Sequence, residues 1–148
     1  CARDYQEATT FAFTSSVALQ MFGLVGHPIK NPLSAEIDVM RPSLLPNLVT
    51  ALAQNQRRQQ DRVRLFELGV VFLDEGKAEP SRIAGVAVGS TKIESWGSLS
   101  RAVDYFDVRG DVDALLVGTG VSARTTLRLF IYILAAQRRF FSVNALSV

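Results

Sequence analysis

Val63–Phe72 reads VRLFELGVVF, and its apolar residues fall on both faces of an extended chain. That pattern predicts an internal strand, because an edge strand or a half-solvated strand would alternate apolar with polar positions. Upstream, Leu45, Leu48, Val49 and Leu52 stand at i, i+3, i+4 and i+7, which predicts an amphipathic helix from Ser43 to about Gln59. Ser43 is the expected N-cap, and Pro46 is tolerated in a first turn whose amides lack intrahelical acceptors. Downstream, Glu75 and Gly76 turn the chain into Ile83–Val88 (IAGVAV), a second expected buried strand, and Asp107 caps an expected helix with Val108, Val112, Leu115 and Leu116 along one stripe. At the N-terminal side, Tyr5–Phe13 (YQEATTFAF) reads as a strand, Ser15 and Ser16 as a cap, and Val17–Phe22 as a short helix. Prolines at 28 and 32 mark the stretch around His27 as loop, with room for one strand. The hairpin-length connection Asp74–Pro80 favours an antiparallel-rich α+β sheet over a βαβ series.

The chain has 148 residues, 48% hydrophobic and 20% charged, which suits one globular domain. A chain this long buries roughly 68–70% of its unfolded surface without staples. Cys1 is the only cysteine, so paired-cysteine zinc and redox sites are excluded, and a reducing, cytoplasmic setting is expected. The longest apolar run, Leu129 to Ala136, falls well short of the roughly 20 residues of a membrane span, so no membrane partner is expected. With neither an initiator Met nor a signal peptide, the chain is expected to be a piece of something longer. Residues 1–113 carry 12 basic and 14 acidic residues, a net of −2, whereas residues 114–148 carry four arginines and no acid. The high pI therefore comes from the tail and gives no general case for nucleic acid binding by the body.

Little in the residues points to catalysis. His27, the sole histidine, sits in a turn-like Gly-His-Pro setting and reads as a loop residue. Asp104, Asp107, Asp111 and Asp113 divide by helical spacing between a cap and solvent-facing positions, so no metal site is expected. Arg57, Arg58, Arg62 and Arg64 are candidate RNA contacts, weighed against a solvated helix end whose dipole they complement. Gly118-Thr119-Gly120 lacks the third glycine of a dinucleotide fingerprint and reads as a helix stop.

The run from Asn31 to Phe72 (NPLSAEIDVMRPSLLPNLVTALAQNQRRQQDRVRLFELGVVF) resembles the core of the bacterial phenylalanyl-tRNA synthetase β chain. Tyr5–Phe13 and Ser95–Leu116 (SWGSLSRAVDYFDVRGDVDALL) extend the resemblance over about residues 3–121, in order and at consistent spacing. It implies a class II aminoacyl-tRNA synthetase-like antiparallel sheet flanked by helices, here truncated, in a subunit that does not itself perform aminoacylation. It further implies a holoenzyme of two α and two β chains that uses ATP and Mg and binds tRNA, with phenylalanine activated on the α chain. Class II adenylating sites carry Phe-Arg-x-Glu at a strand end, where the arginine fork grips the α-phosphate. The matching stretch is Phe72-Leu73-Asp74-Glu75. Losing one preorganised donor typically costs about 2.7–4 kcal/mol of barrier, so this module is expected to hold no cofactor and no catalytic residue. Tyr5–Phe13 resembles the first class II motif, which lies near subunit interfaces. Tyr5, Gln6, Glu7 and Phe11 are therefore interface candidates, with core packing as the competing role for Phe11 and Tyr5, Glu7, Thr9 and Phe11 expected on one strand face.

Beyond Val121 the resemblance stops where a segment like Leu-His-Pro-Gly-Arg-Thr-Ala belongs. Ala123–Arg138, back-translated with permitted codons and read one frame over, gives Ala-Asp-Asp-Phe-Thr-Phe-Ile-Tyr-Leu-His-Pro-Gly-Arg-Thr-Ala. Residues 122–148 are thus expected to be a divergent, frameshifted tail, with no functional residue over 124–148, set against a natural C-terminal helix in which Leu127, Phe130, Ile131 and Leu134 share a face.

Overall fold

In a computed structural model of the chain, residues 3–34, 36–73, 79–92 and 101–119 are described. The expected internal strand forms β5 (Val63–Val70), flanked by β1 (Gln6–Glu7) and β6 (Ser81–Val88) in the order β1-β5-β6. β5 and β6 pair antiparallel in unbroken register from Val63↔Val88 to Val70↔Ser81, as the short connection demands. β1 pairs parallel to β5, Gln6 opposite Leu65, so the sheet is mixed rather than wholly antiparallel. A second sheet, in the order β2-β4-β3, joins β2 (Phe13–Thr14), β3 (His27–Pro28) and β4 (Val39–Met40) by antiparallel pairs.

α2 (Leu45–Arg57) packs its Leu45, Leu48 and Leu52 face against Val63, Leu65, Val71, Val86 and Val88 to make the core. Burying each such side chain contributes about 1.5–3 kcal/mol relative to leaving it in water. α1 (Ser16–Gln20) starts as expected, with the Ser15 hydroxyl accepting from the amides of Val17 and Ala18.

Four local expectations are corrected. The continuous strand at Tyr5–Phe13 is two two-residue strands in different sheets. Asn47 of α2 and Arg41, just after β4, capture the carbonyls of Phe11 and Phe13 that an unbroken strand would have paired. Ser43 is not the N-cap of α2; Leu44 holds that position in helical geometry, and Ser43 Oγ accepts from the Leu45 amide instead. In α3 (Tyr105–Thr119) the cap is Asp104, whose carboxylate accepts from the amides of Phe106 and Asp107, while Asp107 reaches back to the Asp104 amide. This reciprocal pair is a capping box. β6 is buried only at Val86–Val88; Ile83 is half exposed, because no described element covers that end of its outer face. The turn at 74–78, Gly120 and the tail at 122–148 lie outside the described residues.

Candidate functional site

The chain passes from one sheet to the other through residues 8–13, and that crossing is fixed by a buried ion pair. Arg41 Nη1 lies 2.7 Å from Glu67 Oε1, with both side chains almost fully buried. Glu67 also accepts from Thr10, at 3.2 Å from its amide and 2.8 Å from its hydroxyl. Arg41 donates further to Thr10 Oγ1 and Phe11 O, and its Nε donates to Val70 O. A Cβ on Gly69 would stand 2.5 Å from Arg41 Nη2, so glycine is the residue that lets the guanidinium through. No local sequence motif marks Arg41, Glu67 or Thr10. The available signal was parity: Glu67 shares the inward face of β5 with Val63 and Leu65.

Asn47, in the first turns of α2, donates to Phe11 O at 2.8 Å and to Phe13 O at 3.2 Å. The Phe11 backbone is therefore held by two side chains while the residue as a whole is 77% exposed. A core role for Phe11 is excluded by that exposure. Gln6 and Glu7 are exposed on β1 beside it in sequence.

Tyr5 is half-buried and turned to another task. Its hydroxyl donates to Asp111 Oδ2 at 3.0 Å, and the Arg64 guanidinium lies 5.5 Å from its ring centre. Burial, reinforced by the Asp111 charge, pushes the Tyr5 phenol up to about 12. Asp111 also accepts from Arg64 and Arg3, which ties α3 to β5 and to the chain before β1.

The four arginines are split by these contacts. Arg64 is turned inward onto Asp111 and Thr91 O, with its Nε buried and unpartnered among the described residues. Arg62 binds Asp4 and Ser90 O. Arg57 and Arg58 stand exposed at the end of α2. His27 is half-buried in β3 opposite Met40. Among the described residues no group of three or more His, Cys, Asp or Glu is placed to hold a metal ion.

At the position matched to a nucleotide-gripping arginine, Leu73 is half exposed and donates nothing from its side chain. The neighbouring Phe72 amide donates to Arg41 O, so Arg41 is close along the backbone, yet its guanidinium is spent on Glu67, Thr10 and Val70 O. Among the described residues, neither Leu73 nor Arg41 offers a free side-chain donor at that position.

Comparison with known proteins agrees with the residues. The family described as phenylalanyl tRNA synthetase beta chain CLM domain matches residues 1–142. The chain is 41% identical over 128 residues to a phenylalanine–tRNA ligase beta subunit of Burkholderia lata, covering 78% of this chain and 16% of that protein. It is 44% identical over 126 residues to the same subunit of Xanthomonas oryzae pv. oryzae, covering 80% and 16%. With that of Pseudomonas fluorescens it shares 45% over 119 residues, 78% and 15%. The chain thus spans about one sixth of the length of the relatives it matches. With its core, its hairpin and its quoted blocks all inside the matched region, the chain belongs to the phenylalanyl-tRNA synthetase β chain family.

Proposed function

We propose that this module is a structural part of a phenylalanine–tRNA ligase, supporting assembly of α and β chains and leaving the chemistry to the α chain. The holoenzyme would use ATP and Mg and engage tRNA in the cytoplasm, with two copies of each chain. The architecture would be class II-like and truncated, a reading supported by the antiparallel β5–β6 hairpin with α2 packed on one face.

One observation carries the assembly role. Phe11 presents an aromatic ring to solvent from a backbone clamped by Arg41 and Asn47, so little ordering entropy is lost when a partner covers it. Aromatic residues held in this way are common energetic anchors of protein interfaces. Gln6, Glu7 and the exposed part of Tyr5 would form the polar margin.

The test uses the full-length β chain carrying Phe11→Asp, titrated with the α chain in sedimentation velocity. The expected result is at least tenfold weaker association with an unchanged thermal unfolding midpoint, since the ring contributes little to this module's core. Wild-type affinity in the variant would refute the assignment. The tRNA reading keeps only Arg57 and Arg58 as solvent-facing contacts. It requires a steep salt dependence of tRNA affinity that flattens when both become Ala.

A further inference from the structure

Val63 and Leu65 of β5 pack with α2, so strand parity puts Arg64, and Ala87 opposite it on β6, on the other face of the sheet. A cation there would ordinarily stand in water, yet the Arg64 side chain is only 7% exposed. Tyr5 lies against it, with the guanidinium 5.5 Å from the ring centre, and reaches across toward Gly85, where a Cβ would come within 3.7 Å of the ring. The Asp111 carboxylate of α3 joins the three side chains. Its Oδ2 accepts from Arg64 at 3.2 Å and from the Tyr5 hydroxyl at 3.0 Å, and its Oδ1 accepts from Arg3 at 2.7 Å.

Little else holds α3 down. None of its described side chains is buried, Leu115 of the expected apolar stripe is 46% exposed, and a Cβ on Gly110 or Gly118 would meet nothing within 4 Å. Among the described residues, every hydrogen bond from α3 to β5 or to the chain before β1 ends on Asp111. The capping box and the Arg101 pair act only at the helix start, and the Arg109–Asp113 pair stays within the helix. A 15-residue helix carrying two glycines is marginal in water by itself, so α3 depends on its attachment to the sheet.

We propose that α3 is a strap latched by Asp111, which closes over Arg64 and Tyr5 and, when the latch is broken, leaves the sheet while the core of α2, β5 and β6 stays folded. The energetics favour that local opening over general unfolding. Without Asp111, a closed strap would keep Arg64 away from water with no counter-charge, and its Nε already lacks a partner among the described residues. Opening admits water to the guanidinium and gives up little apolar burial, because α3 has little to give up. α2, with Leu45, Leu48 and Leu52 buried against the opposite face, loses nothing. The strap is independent of the assembly role argued above.

The test uses the full-length β chain, with amide hydrogen exchange and phenylglyoxal modification of Arg64 both mapped by mass spectrometry. Asp111→Ala should speed exchange of the amides of residues 111–118 at least tenfold and bring Arg64 modification close to the rate of the urea-unfolded chain, with residues 45–57 exchanging as in the wild type. Asp111→Asn, which keeps an acceptor and loses the charge, should shift both readouts in the same direction by a smaller factor. Arg101→Ala removes an ion pair of α3 that is not the latch, and should leave Arg64 as protected as in the wild type. Unchanged exchange and an unmodified Arg64 in both Asp111 variants would show that α3 is held by something else, including other parts of the chain, and would overturn the proposal. So would faster exchange of residues 45–57 in step with α3, or failure of both Asp111 variants to fold, since either makes the cluster a support of the whole module. Equal exposure of Arg64 in Arg101→Ala would remove Asp111 from its role as the latch.

Discussion

Arg41 and Glu67 face each other at 2.7 Å, one from the residue after β4 and one from the middle of β5, with side chains only 6% and 3% exposed. Both are satisfied by further hydrogen bonds, so removing one partner strands the other charge away from water. Glu67→Ala or Arg41→Met alone should cost about 3–5 kcal/mol in urea unfolding. The double variant Arg41→Met/Glu67→Leu should recover a large part of that loss. Strictly additive costs would show that the pair is not coupled.

The elements legible in the sequence were those whose burial pattern is repeated along a regular element. VRLFELGVVF announced a central strand, and Leu45, Leu48 and Leu52 announced the helix that covers it, because each period samples the same core several times. The crossing at residues 8–13 was not legible. It depends on single long-range contacts from Arg41 and Asn47, separated from Phe11 by about thirty residues or more, and no local pattern records them. The site was legible only in part for the same reason. Phe11 stood out as aromatic, but its 77% exposure follows from those contacts, and the inward turn of Arg64 follows from Asp111 forty-seven residues away.

The capping box of α3 gives a local prediction. Asp104→Ala removes the acceptor for two first-turn amides and should cost about 0.5–2 kcal/mol, seen as fraying of α3 in amide exchange. The Arg101 hydrogen bond, assisted by the Asp104 amide, holds the Asp107 carboxyl down at about 2. A depressed carboxylate stabilises above its unfolded value near 3.9, and that contribution is lost as pH falls from there through 2. Arg101→Ala should move the Asp107 midpoint upward in an NMR titration; an unmoved midpoint would contradict the stated cause.

Tyr5 makes the opposite prediction at alkaline pH. Its phenol is raised from 10.0 to about 12, so the folded chain keeps the proton where the unfolded chain releases it. Stability tied to this group is complete below pH 10 and declines as pH rises from 10 to 12. Tyr5→Phe should flatten that part of the stability profile. A wild-type profile already flat across the window would contradict the burial assigned to the phenol.

The family match runs to residue 142; for the stretch beyond Val121 we nevertheless propose that residues 122–148 are read in a shifted frame. The encoding DNA checks this directly. Codons at 123–138 should regenerate the Leu-His-Pro-Gly-Arg-Thr-Ala segment when read from the third base of the Ala123 codon. A sequence that needs a different residue there in the shifted frame ends the idea.

The central claim is that this module offers surface to partners and has no grip for a nucleotide. The most direct test is ATP binding by the purified full-length β chain in the absence of α, measured by equilibrium dialysis together with phenylalanine-dependent ATP–pyrophosphate exchange. With Leu73 at the gripping position and Arg41 locked onto Glu67, the account predicts neither saturable binding to this module nor exchange. Saturable ATP binding that disappears in the Arg41→Met variant, accompanied by exchange, would contradict it.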